Sequence, residues 1–160
     1  MARLLVAHHS PTAHLATLLR AVEAGARDEA IEGVEVDVRP VGETLAEHIN
    51  AADGVLLVTP TNFGYMAGMT KDLFDRTFLE IGGALDEHGG GAAQAGRKPY
   101  GLCIHGRYDT EGGIRSVQSI TAALGWNLAA PVLSILGDVD ADDEAAAYEL
   151  GATLSALLME

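Results

Sequence analysis

The sequence predicts an α/β domain in three layers, with five parallel strands in the order 2-1-3-4-5 covered by helices on both faces. Short apolar runs alternate with amphipathic helical stretches along the chain. Three of those runs are apolar at every position, as strands buried on both sides of a parallel sheet must be. The 160 residues, 48% of them hydrophobic, fit one domain over residues 1–160.

The elements follow in order. Leu4–Ala7 reads as the first strand, and Leu15, Leu18, Leu19 and Val22 then recur at helical spacing. Val34–Val38 alternates apolar and acidic residues, which suits an edge strand with one wet face. A weaker helix over Glu43–Ile49 leads to the third strand, Gly54–Val58. A helical stripe runs from Met66 through Met69, Leu73, Phe74 and Thr77 to Phe78 and Ile81. The Gly/Ala-rich stretch Glu87–Gly96 reads as a flexible loop before the fourth strand, Tyr100–Ile104. Ile114, Val117, Thr121 and Leu124 mark the next helix, and Val132–Ile135 the fifth strand. A cluster of carboxylates from Asp138 to Glu144 precedes or opens the last helix, where they favour the positive end of its dipole.

A formal charge of −13 argues against a nucleic-acid backbone as partner. No apolar run approaches the roughly 20 residues that span a bilayer, so membrane insertion is not expected. Met1-Ala2-Arg3 runs straight into a strand without a secretory apolar region, so the expected location is cytoplasmic. Cys103, the one cysteine, lies in an apolar run and reads as an inert buried thiol. Trp126 and Tyr100 fall at the amino edge of the sheet and read as packing residues.

Ligands of such sheets sit at the carboxyl ends of the strands, near the switch point between strands one and three. The loop after strand one is His8-His9-Ser10-Pro11-Thr12-Ala13-His14. Ser10 suits an N-cap and Pro11 a first helical position. Hydroxyls and free amides at a helix start make an anion site without lysine; plain capping accounts for the same residues. Neither G-x-G-x-x-G nor a P-loop nor G-x-S-x-G is present. Adjacent His8 and His9 point to opposite faces of an extended segment, which makes a shared metal site with His14 and His105 a poor expectation. After strand three, Pro60, Thr61, Asn62, Phe63, Gly64 and Tyr65 combine hydroxyl, amide, glycine and aromatic positions. A flat ring with one polar edge needs that combination.

The run Thr59–Asp75 closely resembles the T-P-T-x-F-G-x-M-x-G-x-x-K/R-x-x-x-D segment of the flavodoxin-like NAD(P)H:quinone oxidoreductases and FMN reductases. Ser10-Pro11-Thr12-Ala13-His14 is similar to a degenerate form of that family's phosphate loop, S/T-x-T-G-N-T, and the order of elements agrees over essentially the whole chain. The resemblance implies a flavodoxin-like fold and an FMN cofactor. Its phosphate would lie on Ser10, Thr12, Ala13, His14 and Leu15, and its ring against Pro60–Tyr65. NAD(P)H is the implied electron donor. Two departures stand out. Ala13, His14 and Leu15 replace the usual Gly, Asn and Thr, so backbone amides alone must supply some phosphate bonds. The third loop, from His105 through Gly106, Arg107 and Tyr108 to Gly113, keeps glycines and a carboxylate but lacks the Ser-Thr-Gly start. Tyr108 is placed to cover the ring, and Arg107 or His105 to stabilise a reduced anionic flavin; a solvated loop accounts equally for Arg107.

The implied function is NAD(P)H-dependent reduction of a quinone or similar small acceptor through FMN. The alternatives are a non-enzymatic electron carrier serving a redox protein and, from a faint likeness of His8-His9-Ser10 to an H-G-S turn, a tetrapyrrole-metal chelatase. Self-association into a homo-oligomer is compatible with the sequence.

Overall fold

A computed structural model describes residues 1–85, 87–88, 91–93 and 97–159. Strands β1 (Ala2–His8), β2 (Val34–Pro40) and β3 (Gly54–Asn62) are joined through helices α1 (Ala13–Ala26) and α2 (Ala46–Ala51). After β3 come a two-residue strand β4 (Tyr65–Met66), helix α3 (Gly68–Thr77) and a small hairpin, β5 (Gly83–Leu85) with β6 (Gly91–Ala93). Then follow β7 (Pro99–Gly106), α4 (Glu111–Ala123), β8 (Asn127–Leu128), β9 (Leu133–Leu136) and α5 (Ala141–Ala156). The main sheet runs β2-β1-β3-β7-β8, with β9 also on β7. The pairings of β1 with β2 and β3, and of β7 with β3, β8 and β9, are all parallel. The predicted strand order and flavodoxin-like architecture are therefore present.

Alternation along the strands builds two cores. Leu5, Ala7, Val55, Leu57, Leu102 and Ile104 face α2, α3 and α4, while Leu4, Val6, Leu56, Val58 and Cys103 face α1 and α5. The edge strand β2 buries only Val36. Where α1 crosses α5 the backbones nearly touch. A Cβ on Gly25 would lie 1.9 Å from the Tyr148 carbonyl oxygen, and one on Gly151 2.0 Å from that of Val22. Trp126 is buried against Phe74 and Tyr100 at ring distances of 6.3 and 6.2 Å, which bears out its packing role. Among the described residues no helix is long and apolar enough to cross a membrane.

Three expectations need correction or extension. First, the fifth strand, expected over Val132–Ile135, is present as β9, and an unexpected two-residue strand, β8, precedes it. β8 pairs with Pro99–Tyr100 and β9 with Cys103–Gly106. Pro131 lies between them and has no N–H to give to a ladder. Second, the helical stripe begins too early. Met66 belongs to β4, because Phe63 and Gly64 both take positive φ (52° and 75°) and turn the chain into a two-residue hairpin before α3 begins. Third, part of the predicted loop 87–96 is strand: residues 91–93 pair antiparallel with 83–85. Residues 89–90 and 94–96 of that stretch lie outside the described residues.

Candidate functional site

Parallel register brings the strand ends to one edge. His8 pairs with Val58 and Pro60 with His105, so the segments after β1, β3 and β7 emerge side by side. That edge is the one the sequence selects.

The first segment opens α1. The N-cap is Thr12, not Ser10: its Oγ1 accepts from the Leu15 amide at 3.3 Å, and its carbonyl accepts from Ala16. Ser10 lies too far upstream to cap, and its hydroxyl instead meets His8 Nδ1 at 2.5 Å. Burial, and then His9, hold the His8 pKa below its ordinary value against the opposing pull of Glu23 and Glu43. The amides of Ala13 and His14 have no acceptor among the described residues, so the helix start offers two aimed donors. Leu15 offers nothing more: its amide is taken by Thr12 and its side chain is in the core.

The second segment is strand and hairpin rather than the tight loop that Pro60 and Gly64 suggest. Pro60 is buried on β3, its carbonyl accepting from Ala67. Thr61 pairs with Met66 and Asn62 with Tyr65. At the tip Phe63 is fully exposed in left-handed backbone, which an aromatic side chain rarely adopts. Gly64 answers a demand of conformation, since a Cβ there would meet nothing within 4 Å. The first turn of α4 grips this hairpin from behind. A Cβ on Gly112 would lie 1.8 Å from the Gly64 carbonyl oxygen, and one on Gly113 2.3 Å from Thr61 Oγ1. Ser116 Oγ accepts from the Met66 amide at 3.2 Å and donates to the Gly113 carbonyl at 2.9 Å.

The third segment turns tightly at Gly106, where a Cβ would meet the Asp109 carbonyl oxygen at 2.3 Å. His105 faces away from the hairpin. Its Nε2 lies 2.6 Å from the Gly137 carbonyl, and its ring lies 5.5 Å from that of His14. Asp138 joins the first and third segments, meeting Arg107 Nη1 at 3.1 Å and His14 Nε2 at 3.4 Å. Arg107, and then His14, hold its carboxyl below the usual carboxylate range.

Between the second and third segments lies a cleft of about 270 Å³ lined by Thr61, Phe63, Gly64, Arg107, Tyr108 and Asp109. Thr61 Oγ1 is buried without a hydrogen-bond partner against the first turn of α4 at Gly113. Phe63 and Tyr108 leave large aromatic faces exposed beside the cleft. Five predicted residues thus share one cleft. Tyr65 lines a neighbouring groove instead, and Asn62 and Gly106 flank the cleft through backbone. Sequence reasoning missed Asp138 as a tie between loops, and Gly112 and Gly113 as the clamp on the hairpin. The adjacent glycines at a helix start were the available signal for the clamp. The residues present fit FMN. Free amides at a helix start suit a phosphate, and exposed aromatic side chains beside a cleft suit a flat ring.

Comparison with known proteins gives the same picture. The family model for NADPH-dependent FMN reductase matches residues 12–137. Its description names FMN and NADPH, the two ligands implied by the sequence resemblance. An NAD(P)H dehydrogenase (quinone) of Acidithiobacillus ferrooxidans is 34% identical over 48% of the chain and 48% of its own length. A flavodoxin of Aquifex aeolicus is 31% identical over 54% of the chain and 45% of its own length. The chain thus spans about half the length of these curated relatives. In fold, it superposes on a flavodoxin from the domain Archaea at TM-score 0.79, with 15% identity over 98% of both chains. It superposes on an azoreductase of Bacillus anthracis at TM-score 0.75, with 14% identity over 98% of this chain and 100% of that one. With the family model covering residues 12–137, from the start of α1 through the segments after β3 and β7, and the fold agreeing over nearly the whole chain, this protein belongs to the NADPH-dependent FMN reductase family.

Proposed function

We propose that the chain is an FMN-dependent oxidoreductase that draws electrons from NAD(P)H and delivers them to a quinone or similar small acceptor. The net reaction takes NAD(P)H, a proton and a quinone to NAD(P)⁺ and a hydroquinone, so two electrons and two protons balance. FMN, when bound, supplies the hydride and electron chemistry. The observation that carries the reading is the cleft at the ends of β3 and β7, with the exposed aromatic side chains of Phe63 and Tyr108 beside it.

The chain's residues bind and orient. The amides of Ala13 and His14 and the hydroxyls of Ser10 and Thr12 receive the phosphate, a helix-start site that needs no lysine in so acidic a chain. The hairpin tip, Phe63-Gly64, and Thr61 take one side of the ring. Tyr108 covers the other and excludes water, while Arg107, held by Asp138, keeps a cation at the rim.

The visible spectrum of the protein with added FMN tests the binding, and NADPH oxidation with a quinone tests the turnover. Bound flavin with quinone-dependent turnover is expected; no FMN binding at high micromolar protein would refute the reading. Riboflavin should bind more weakly than FMN, and Ser10→Ala should weaken FMN alone by about 1 kcal/mol, one hydrogen bond. A second reading, a flavodoxin-type carrier for a redox protein, draws on the near-complete superposition on the archaeal flavodoxin. A carrier would bind FMN yet show almost no turnover without a reductase.

A further inference from the structure

Between the end of β1 and the start of α1, two side chains set two residues apart hold each other. His8 ends β1, fixed between Pro40 of β2 and Val58 of β3, and the His9 amide donates to the Val58 carbonyl. Side chains two apart in an extended segment fall on one side of it, so Ser10 returns to the side of His8 while His9 turns to the other. The Ser10 hydroxyl meets His8 Nδ1 at 2.5 Å. Other histidines use their rings differently: His48 Nδ1 accepts from the Leu45 amide, His105 Nε2 lies on the Gly137 carbonyl, and His14 meets Asp138. Of these four rings, that of His8 alone meets a hydroxyl.

A hydrogen bond between an imidazole nitrogen and a hydroxyl runs in either direction. With Nδ1 bare, Ser10 donates to it and the hydroxyl proton is spent. With Nδ1 protonated, His8 donates and the Ser10 proton is free for another acceptor. The oxygens of a phosphate dianion only accept. Ser10 therefore joins a phosphate held by the Ala13 and His14 amides only when His8 Nδ1 carries a proton. The charged ring meets that demand without a choice of tautomer and adds a positive charge behind the hydroxyl. Without a phosphate the surroundings favour the neutral ring. Burial, and then the charge of His9, hold the His8 pKa below its ordinary value, while Glu23 of α1 and Glu43, between β2 and α2, pull the other way.

We propose that His8 is a positioning residue for the flavin phosphate: FMN binding draws a proton onto His8, which frees the Ser10 hydroxyl to donate to the phosphate. The proposal rests on the placement of the FMN phosphate at the start of α1 and deepens it into a proton-linked preference for the phosphorylated flavin. A group whose pKa is higher in the complex than in the free protein strengthens binding as pH falls, and the gain is lost as pH rises through the value in the complex. FMN affinity therefore has a component that grows toward mildly acidic pH, and riboflavin, which has no phosphate, lacks it. The phosphate of FMN has its own second ionisation at about pH 6 and works in the opposite sense, because a site for the dianion loses grip as the ligand protonates. Removing His8 separates the two, since the ligand keeps its ionisation and the protein loses its own.

Calorimetric titration with FMN and with riboflavin, each in two phosphate-free buffers of unlike ionisation heat, reads affinity and proton uptake together. At about pH 6.5 the wild-type protein should take up more protons on binding FMN than His8→Gln does, by a sizeable fraction of one proton, with no such difference for riboflavin. The FMN-over-riboflavin affinity ratio of wild type, divided by that of His8→Gln, should be about tenfold larger at about pH 5.5 than at about pH 8, the size of one charge-assisted hydrogen bond. Ser10→Ala should lower the ratio too, and adding His8→Gln to it should cost much less than His8→Gln does alone, as for two residues that act as one unit. Equal proton uptake by wild type and His8→Gln, or losses from the two substitutions that simply add, would overturn the proposal. Should His8→Gln not fold, Ser10→Ala carries the test: its proton uptake on FMN should fall below that of wild type, and unchanged uptake would overturn the proposal. If FMN does not bind, the flavoenzyme reading falls and takes this proposal with it. If FMN binds in preference to riboflavin while His8→Gln keeps the wild-type uptake, only the role of His8 falls.

Discussion

Phe63 holds an aromatic side chain at φ 52° with its ring fully exposed. Left-handed backbone costs a residue with a Cβ about 1–2 kcal/mol, and an uncovered ring gains nothing from burial to offset it. Such strain persists where function needs the side chain. Phe63→Asn should therefore raise stability by up to about 1 kcal/mol, seen as a higher urea midpoint, because asparagine tolerates this conformation. It should at the same time weaken FMN. A more stable variant with unchanged FMN affinity would remove the ring from the site. His8 makes a pH prediction. Burial lowers its pKa, so the folded chain favours neutral imidazole. That contribution is fully present above the unfolded value near 6.5 and is lost as pH falls through the lower folded value. His8→Gln should flatten part of the fall in Tm between pH 7 and pH 5.

At the scale of the element, the hairpin β3–β4 and helix α4 form one unit. The Gly112 and Gly113 positions let the helix start lie against the hairpin backbone, and Ser116 pins Met66 from the same turn. Gly112→Ala would put a methyl 1.8 Å from the Gly64 carbonyl oxygen, so the tip must move. Overpacking of this kind costs about 1–3 kcal/mol, and here it displaces the wall of the cleft. FMN affinity in the folded variant should fall along with stability, as read by flavin titration beside urea unfolding. Gly68→Ala, at the start of α3 with nothing within 4 Å of its Cβ, should leave both nearly unchanged.

For the whole molecule, the contrast lies between scaffold and edge. The α1–α5 crossing is set by Gly25 and Gly151, remote from the α1 start that offers the phosphate donors. Gly151→Ala should lower stability by about 1–3 kcal/mol while FMN affinity of the folded fraction stays the same. A parallel loss of affinity would mean that the crossing sets the phosphate loop. The buried Cys103 thiol, pushed up to about 12 by burial, belongs to that scaffold as well.

Much of this was written locally. Apolar runs such as Leu4–Ala7 and Gly54–Val58 declare strands buried on both faces, and the alternation of Val34–Val38 declares a wet edge; together they determine the layers and strand order. The segment Thr59–Asp75 likewise marked the stretch that supplies the cleft wall. Periodicity reports which face of an element is apolar, and that depends on near neighbours in the chain. The tertiary structure alone decided what distant segments do to one another. It paired β8 as well as β9 with β7, set α4 on the hairpin through Gly112 and Gly113, turned His105 toward His14 and Gly137, and tied Arg107 to His14 through Asp138. Each of these is a close approach between residues far apart in sequence, fixed by the register of the parallel strands and by steric room at single atoms, and no local pattern of polarity encodes either.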